Sequence, residues 1–401
     1  MGASCSVHNR FPPRTGGAQG AFLRVLSVND VYTLDILPRL ATAIAQAKAT
    51  APKGCTVIAV LNGDFLSPCI YTALDGGATM AQAIHAVGFD YCCLGNHEFD
   101  IGIPQLADKL RSCSSKVLNS NVINAELDLF PKSATLAIGK RLVLFGGFVT
   151  PDRDIYSPSN MPDVLEFEGA AHAIWTAAAE AGRAPDCLIP LTHQRIEEDR
   201  DFASALTEPL KSAMPMGSDA ELIGVVDVFW ISDEPSMPAR AELVAQLPAS
   251  TFAAEARVEA FARMKRAWVE DMMGAVLFEL PAPASSADVR FGQSGVASFL
   301  LDLVKKVAII NGGAVRGNAS YPVGPFILKN MYSEFAFPTE FSVLQLPGRT
   351  LVQMVTWSHA RLKPAPELLH LDGDCTVSEG VLSAINGKPV EPARLYTDPP
   401  P

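Results

Sequence analysis

No apolar run of about 18 residues occurs anywhere in the 401-residue sequence, which excludes a helical membrane span. The first residues also lack the apolar core of a secretory signal peptide. There is no basic stripe, and 43 Asp and Glu outnumber 32 Lys and Arg for a net charge of −11, which excludes a broad nucleic-acid footprint. Cysteine is sparse and has no zinc-ribbon spacing. The adjacent Cys92-Cys93 lie in an apolar run, so the thiols are expected buried and reduced, as in a cytosol-like compartment. With 48% apolar and 19% charged residues the composition is that of an ordinary globular protein, and the length calls for two domains.

The opening Met1-Gly2-Ala3-Ser4-Cys5-Ser6 fits the N-myristoylation pattern at Gly2, with Cys5 placed for palmitoylation. One acyl chain binds membranes marginally and two hold firmly. The expectation is a cytoplasmic protein, attached to the cytoplasmic face of a membrane where both residues are acylated, through a disordered leader over residues 1–20.

From Phe22 the chain alternates strand and helix, the signature of an α/β architecture with much parallel pairing. Strands are expected over Phe22–Val28, Thr56–Leu61, Phe89–Cys93, Leu142–Val149, Cys187–Leu191 and Glu221–Trp230. Helices are expected over Pro38–Ala49, from a cap at Thr79 to Gly88, and over Ile103–Arg111, Ala170–Ala181 and Arg195–Leu206. Pro190 marks its strand as an edge, and no apolar run between His193 and Glu221 supplies the neighbour. Residues 236–274 read as a linker and a connecting helix. In that helix Val258, Phe261, Met264, Trp268 and Met272 recur at helical spacing as a packing stripe. A second domain follows over 275–401, with a helix from Val296 to Val304 and strands Val307–Ile310 and Phe341–Leu346.

The chemistry gathers at strand ends. Apolar strands run into Asn29-Asp30, into Asn62-Gly63-Asp64, into Gly95-Asn96-His97-Glu98-Phe99-Asp100 and into Thr192-His193. Open α/β sheets carry their sites just beyond the carboxyl ends of strands. Asp30, Asp64, Asn96 and His193 delivered to one edge form a hard-metal constellation of oxygen and imidazole donors without thiolate. Asp64 is the natural bridge between two cations, and His97, oriented by Asp100, is placed to protonate a leaving oxygen.

In these stretches, and in Asn311-Gly312-Gly313-Ala314-Val315-Arg316, the sequence resembles the calcineurin-like metallophosphoesterases of the 5'-nucleotidase family. The likeness runs in order from about Phe22 to Tyr396. The resemblance implies an α/β fold of the α+β sandwich type. A metallophosphatase β-sandwich flanked by helices would occupy 21–235, lacking one core strand, and a truncated 5'-nucleotidase-type α/β substrate domain would occupy 275–401. It implies two divalent ions (Zn, Mn, Mg or Co), one on Asp30 and Asp64 and one on Asp64, Asn96 and His193. His97 and Asp100 match the catalytic pair, Asn311 and Arg316 match nucleotide contacts, and Phe337 stands where a ring stacks on the base. The implied activity is hydrolysis of nucleoside 5'-monophosphates or related phosphate esters in nucleotide catabolism.

The sequence departs from the family at several points. Tyr32 stands where many members have a metal-binding His, and the later Gly-His-Asp-His element is missing between His193 and Gly217, lost with its strand near Leu206–Pro209. Arg290–Gly295 has lost most of the polar groups of its counterpart, and the C-terminal Gly-Gly-Asp-Gly-Tyr region is gone. His172, His359 and His370 follow no site strand and are not counted as ligands. Besides a hydrolase, two readings stay open: a nucleotide- or partner-binding module without turnover, and an incomplete translation of a longer, active parent.

Overall fold

The computed structural model describes residues 11–13, 20–112, 116–128, 130–205, 221–234, 236–304, 307–335 and 342–396. By its internal contacts the chain forms two compact units, Met1–Arg266 and Ala267–Pro401.

The first unit opens with β1 (Phe22–Val28), α1 (Leu37–Ala49), β2 (Cys55–Asn62), α2 (Ile70–Asp75), α3 (Ala78–Val87) and β3 (Tyr91–Cys93). A 3-10 turn (His97–Ile101), α4 (Ile103–Ser112), β4 (Lys116–Leu118), β5 (Val122–Ile123), β6 (Ser133–Ile138) and β7 (Arg141–Val149) follow. The unit continues through β8 (Asp163–Val164), α5 (Phe167–Glu180), β9 (Cys187–His193), α6 (Ile196–Ala205), β10 (Leu222–Phe229) and β11 (Arg240–Pro248), and α7 (Ala256–Met273) crosses its boundary.

Six strands make one sheet in the order β11-β10-β1-β2-β3-β4, and three make a second, β6-β7-β9. In the first sheet β1 to β4 run parallel, and β10 and β11 run antiparallel to their neighbours. Strands buried on both faces read as near-continuous apolar runs, and β1 is buried at every position. Leu23, Val25, Ile58, Val60, Tyr91 and Cys93 of the first sheet share one core with Val143, Phe145, Cys187, Ile189 and Leu191 of the second. On the outer side of the second sheet, Leu144, Phe148 and Leu188 pack with Phe167, Ala170, Ala171 and Ile174 of α5 and Phe202 of α6. Helix α1 packs on β2 at the other face. This is the expected sandwich with helical flanks.

Several expectations are corrected. Residues 240–248 are not linker: β11 pairs antiparallel with β10 from Arg240 to Pro248. Its apolar signal is diluted because an edge strand leaves charged side chains such as Arg240 and Glu242 exposed. Part of the leader is packed. Phe11 is buried against Phe252 with ring centroids 5.8 Å apart, and Arg24 donates to the carbonyls of Pro12 and Pro13. The buried Arg24 guanidinium has three donors beyond its pair with Asp227, and these carbonyls take two of them. Residues 1–10 and 14–19 lie outside the described residues. Helix α3 starts at Ala78 after Gly77 rather than at a Thr79 cap, and Thr79 instead bonds Asp75. Of the α7 stripe only Val258 is buried, while Met264 is 57% exposed and Met272 38%. Strand β9 pairs with β7 alone among the described residues, so Pro190 does sit on an edge. Residues 206–209, where a neighbour is expected lost, lie outside the described residues.

The second unit holds short strands around helices Gly295–Val304, Leu328–Glu334 and Gly348–His359. Strand Ile309–Asn311 pairs with Leu369–Leu371, and Val276–Leu280 pairs with Gly324–Ile327. Where Phe341–Leu346 is expected as a strand, the described part is regular only at Leu346–Pro347. The six cysteines among the described residues are free thiols.

Candidate metal centre

Parallel pairing brings the carboxyl ends of β1, β2 and β3 to one edge, and the turns beyond them are bonded together. The Asp30 N–H donates to Gly63 O at 3.2 Å and the Val31 N–H to Asp64 O at 2.7 Å. Asp30 and Asp64 both adopt left-handed backbone, at φ 55° and 53°. Asp tolerates that region better than most residues, and such local strain clusters at functional sites. Gly95 lets the third turn close in, since a Cβ there would fall 2.0 Å from Asp64 Oδ1.

Asp30, Asp64 and His193 converge, with one ligand-type atom from each lying within 4.8 Å of the others. Tyr32 Oη reaches Asp30 Oδ1 and Asp64 Oδ2, each at 2.8 Å. His193 Nε2 stands 3.3 Å from Asp64 Oδ2, while its Nδ1 is 2.8 Å from the Asn62 carbonyl. A carbonyl only accepts, so Nδ1 carries the hydrogen and Nε2 is the donor atom turned to the carboxylates, the arrangement usual for a histidine ligand. Asp64 Oδ1 accepts the His97 N–H at 3.0 Å, which leaves Oδ2 as its site-facing atom. Asn96 is buried, with Nδ2 donating to Ile155 O at 3.3 Å. Beside the cluster His97 Nδ1 is 2.8 Å from Asp100 Oδ2, which also accepts from Ser67 Oγ at 3.0 Å.

The electrostatics follow from burial and pairing. Burial pushes the Asp30 carboxyl up. Burial also opposes charge on Asp64, but the hydrogen bond and charge of His193 outweigh it and hold that carboxyl below its ordinary value. Burial disfavours protonated His193, yet the bond to Asp64 lifts the imidazole to about 9. The hydrogen bond to Asp100 raises His97. Burial and the two carboxylates push the Tyr32 phenol far above its usual range. The donor set fits a hard cation: buried carboxylates, an imidazole offering Nε2, and Asn29 Oδ1 buried beside Asp30 without a hydrogen-bond donor. A bound cation inverts this local logic by taking the place of the protons that now sit between the ligands.

Glu98 has a role the sequence reading missed. Its buried carboxylate accepts four backbone N–H groups, from Asp64 and Gly95 at 2.7 Å, Phe65 at 2.8 Å and Leu66 at 2.9 Å. Burial pushes it up to about 7, helped by the charge of Asp64, and the N–H groups pull the other way. Its place inside the Gly95–Asp100 string was the available signal.

Asn311 and Arg316 belong to the second unit. Asn311 Nδ2 donates to Pro366 O at 3.3 Å, and the Arg316 N–H donates to Glu334 O at 2.8 Å; both side chains are exposed. Phe337 lies outside the described residues. His370 is a structural residue, buried with Nε2 2.7 Å from Val289 O and Nδ1 accepting the Ser294 N–H at 3.1 Å.

No family model matches the sequence. The NAD 5'-nucleotidase of Haemophilus influenzae is 28% identical over 151 residues, 36% of this chain and 25% of that protein. The 5'-nucleotidase of Bos taurus is 33% identical over 137 residues, 32% of this chain and 23% of that protein. The alignments thus span about a quarter of these curated relatives. In fold, the 5'-nucleotidase precursor of Thermus thermophilus superposes with a TM-score of 0.57 at 18% identity, covering 94% of this chain and 88% of that one. With its site motifs and its sandwich, the chain is thus similar to 5'-nucleotidases in sequence over about a third of its length and in fold over 94% of it.

Proposed function

We propose that the protein is a metal-dependent phosphohydrolase acting on nucleoside 5'-monophosphates or related phosphate esters. The observation that carries this reading is the convergence of Asp30, Asp64 and His193 beside the His97–Asp100 pair. Two divalent ions are proposed, one held by Asp30 and Asp64, the other by Asp64, Asn96 and His193. Such a pair supplies charge to a phosphoryl group and makes water a usable nucleophile at neutral pH. The chain's own residues do the rest. His97, whose hold on its proton the bond to Asp100 strengthens, gives that proton to the leaving oxygen, and Ser67 steadies the same Asp100 oxygen, Oδ2. Asn311, Arg316 and Phe337 are proposed to hold the nucleotide. Among the described residues no helix is long and apolar enough to cross a membrane. A cytoplasmic-face location through acylated Gly2 and Cys5 completes the reading.

The test is hydrolysis of AMP and p-nitrophenyl phosphate by the dialysed protein with and without added Mn²⁺. Turnover that appears with Mn²⁺, is lost with metal content in Asp64→Asn, and falls about 10²–10⁴-fold in His97→Asn at unchanged metal content supports it. Metal binding without turnover in the wild type would favour a binding module instead, a reading that Tyr32 in place of an imidazole encourages.

A further inference from the structure

The hydroxyl of Tyr32, two residues beyond Asp30, touches both carboxylates at the same 2.8 Å. A phenol carries one proton, so its hydrogen serves one carboxylate at a time or is divided between two. With both carboxylates ionised the triplet is therefore one proton short as a hydrogen-bond arrangement. It is a good ligand arrangement: bonds of about 2.0–2.1 Å to a small octahedral ion put adjacent oxygens about 2.9 Å apart. The His193 imidazole stands outside this triplet, 3.3 Å from Asp64 Oδ2 and fastened to Asn62 O. Asp64 Oδ2 is the atom common to both sides.

We propose that Tyr32 is a metal ligand and makes the two cation positions unequal. Asp30, Tyr32 and Asp64 form an oxygen-only position that selects a hard cation such as Mn²⁺, while the position at His193 keeps an imidazole and takes Zn²⁺ readily. This rests on the two-cation reading above. Oxygen donors favour Mg²⁺ and Mn²⁺, and imidazole favours Zn²⁺ and its neighbours. Replacing a histidine by tyrosine at one position of a pair thus changes which ion that position prefers, without removing a ligand. On binding, any phenol proton displaced goes to solvent.

The test uses the metals alone, Mn²⁺ and Zn²⁺, titrated calorimetrically and in competition into wild type, Tyr32→Phe, Tyr32→His and Asp64→Asn, with circular dichroism confirming folding. The wild type should take one Mn²⁺ in the presence of one equivalent of Zn²⁺. Tyr32→Phe should weaken Mn²⁺ binding at least tenfold and leave one Zn²⁺ in place. Tyr32→His should shift the preference toward Zn²⁺ at least tenfold and bind a second Zn²⁺. Mn²⁺ binding as tight or tighter in Tyr32→Phe would overturn the proposal, because the phenol would then only compete for the carboxylates. An unchanged preference in Tyr32→His would overturn it as well. Wild type binding neither ion better than Asp64→Asn would remove the two-cation reading together with it.

Discussion

Glu98 Oε2 accepts the backbone N–H of Asp64 at 2.7 Å, and the same atom accepts that of Gly95 at 2.7 Å. One buried oxygen thereby joins the turn after β2 to the turn after β3. The geometry of the candidate metal centre depends on a carboxylate that acts through backbone N–H groups, one step behind the side chains that converge there.

Glutamine at this position keeps the shape and loses the function. Whichever way the amide is turned, its NH₂ faces two backbone N–H groups that had an acceptor. Leaving buried donors unpaired costs about 1–3 kcal/mol each, so Glu98→Gln should lose about 2–6 kcal/mol in urea unfolding and bind Mn²⁺ more weakly. A midpoint and metal affinity equal to wild type would show that the four bonds do not hold the site.

Arg24 and Asp227 form a fully buried pair across β1 and β10, at 2.7 and 2.8 Å. Removing one partner leaves the other charge buried, at a cost of about 3–5 kcal/mol, whereas replacing both by apolar residues is often tolerated. Arg24→Met should be strongly destabilised, and Arg24→Met with Asp227→Leu should recover most of the loss. In both variants the Phe11–Pro13 segment loses donors to its carbonyls, and limited proteolysis should detect earlier cleavage there.

His370 gives the second unit a pH dependence. Burial keeps this imidazole below its ordinary value, and protonating Nδ1 would set a hydrogen against the Ser294 N–H. The folded state therefore binds its proton less readily than the unfolded state. The stabilisation is complete above about pH 6.5 and declines as pH falls through that value toward the folded pKa. Urea midpoints of the unit at pH 7.5 and 5.5 should differ more for wild type than for His370→Asn. Equal differences would assign the acid sensitivity to other groups.

The legible parts of this molecule are those where burial acts on a whole segment. Strands β1 and β10 are covered on both faces, so Phe22–Val28 and Leu222–Phe229 read as apolar runs despite Arg24 and Asp227. Parallel order then predicts that Asp30 and Asp64 meet at one edge, and they do. Strand β11 was not legible, because half of an edge strand faces water and its alternation with charge resembles a linker. The α7 stripe marks a helix by its period, but a period does not say how much of the stripe is covered. Tyr32 and Glu98 were visible as residue types. Their roles depend on turns that bring an oxygen within 3 Å of partners more than 30 positions away.

Strand β9 ends at His193 and, among the described residues, is held on one side only, by β7. The ring at its tip is nonetheless tied to the Asn62 carbonyl in the opposite sheet. The placement of this ring at the candidate metal centre thus rests partly on a bond outside the strand's own sheet. A change of chain length along the flank of β9 that is unpaired among the described residues would leave the bond that seats the imidazole untouched.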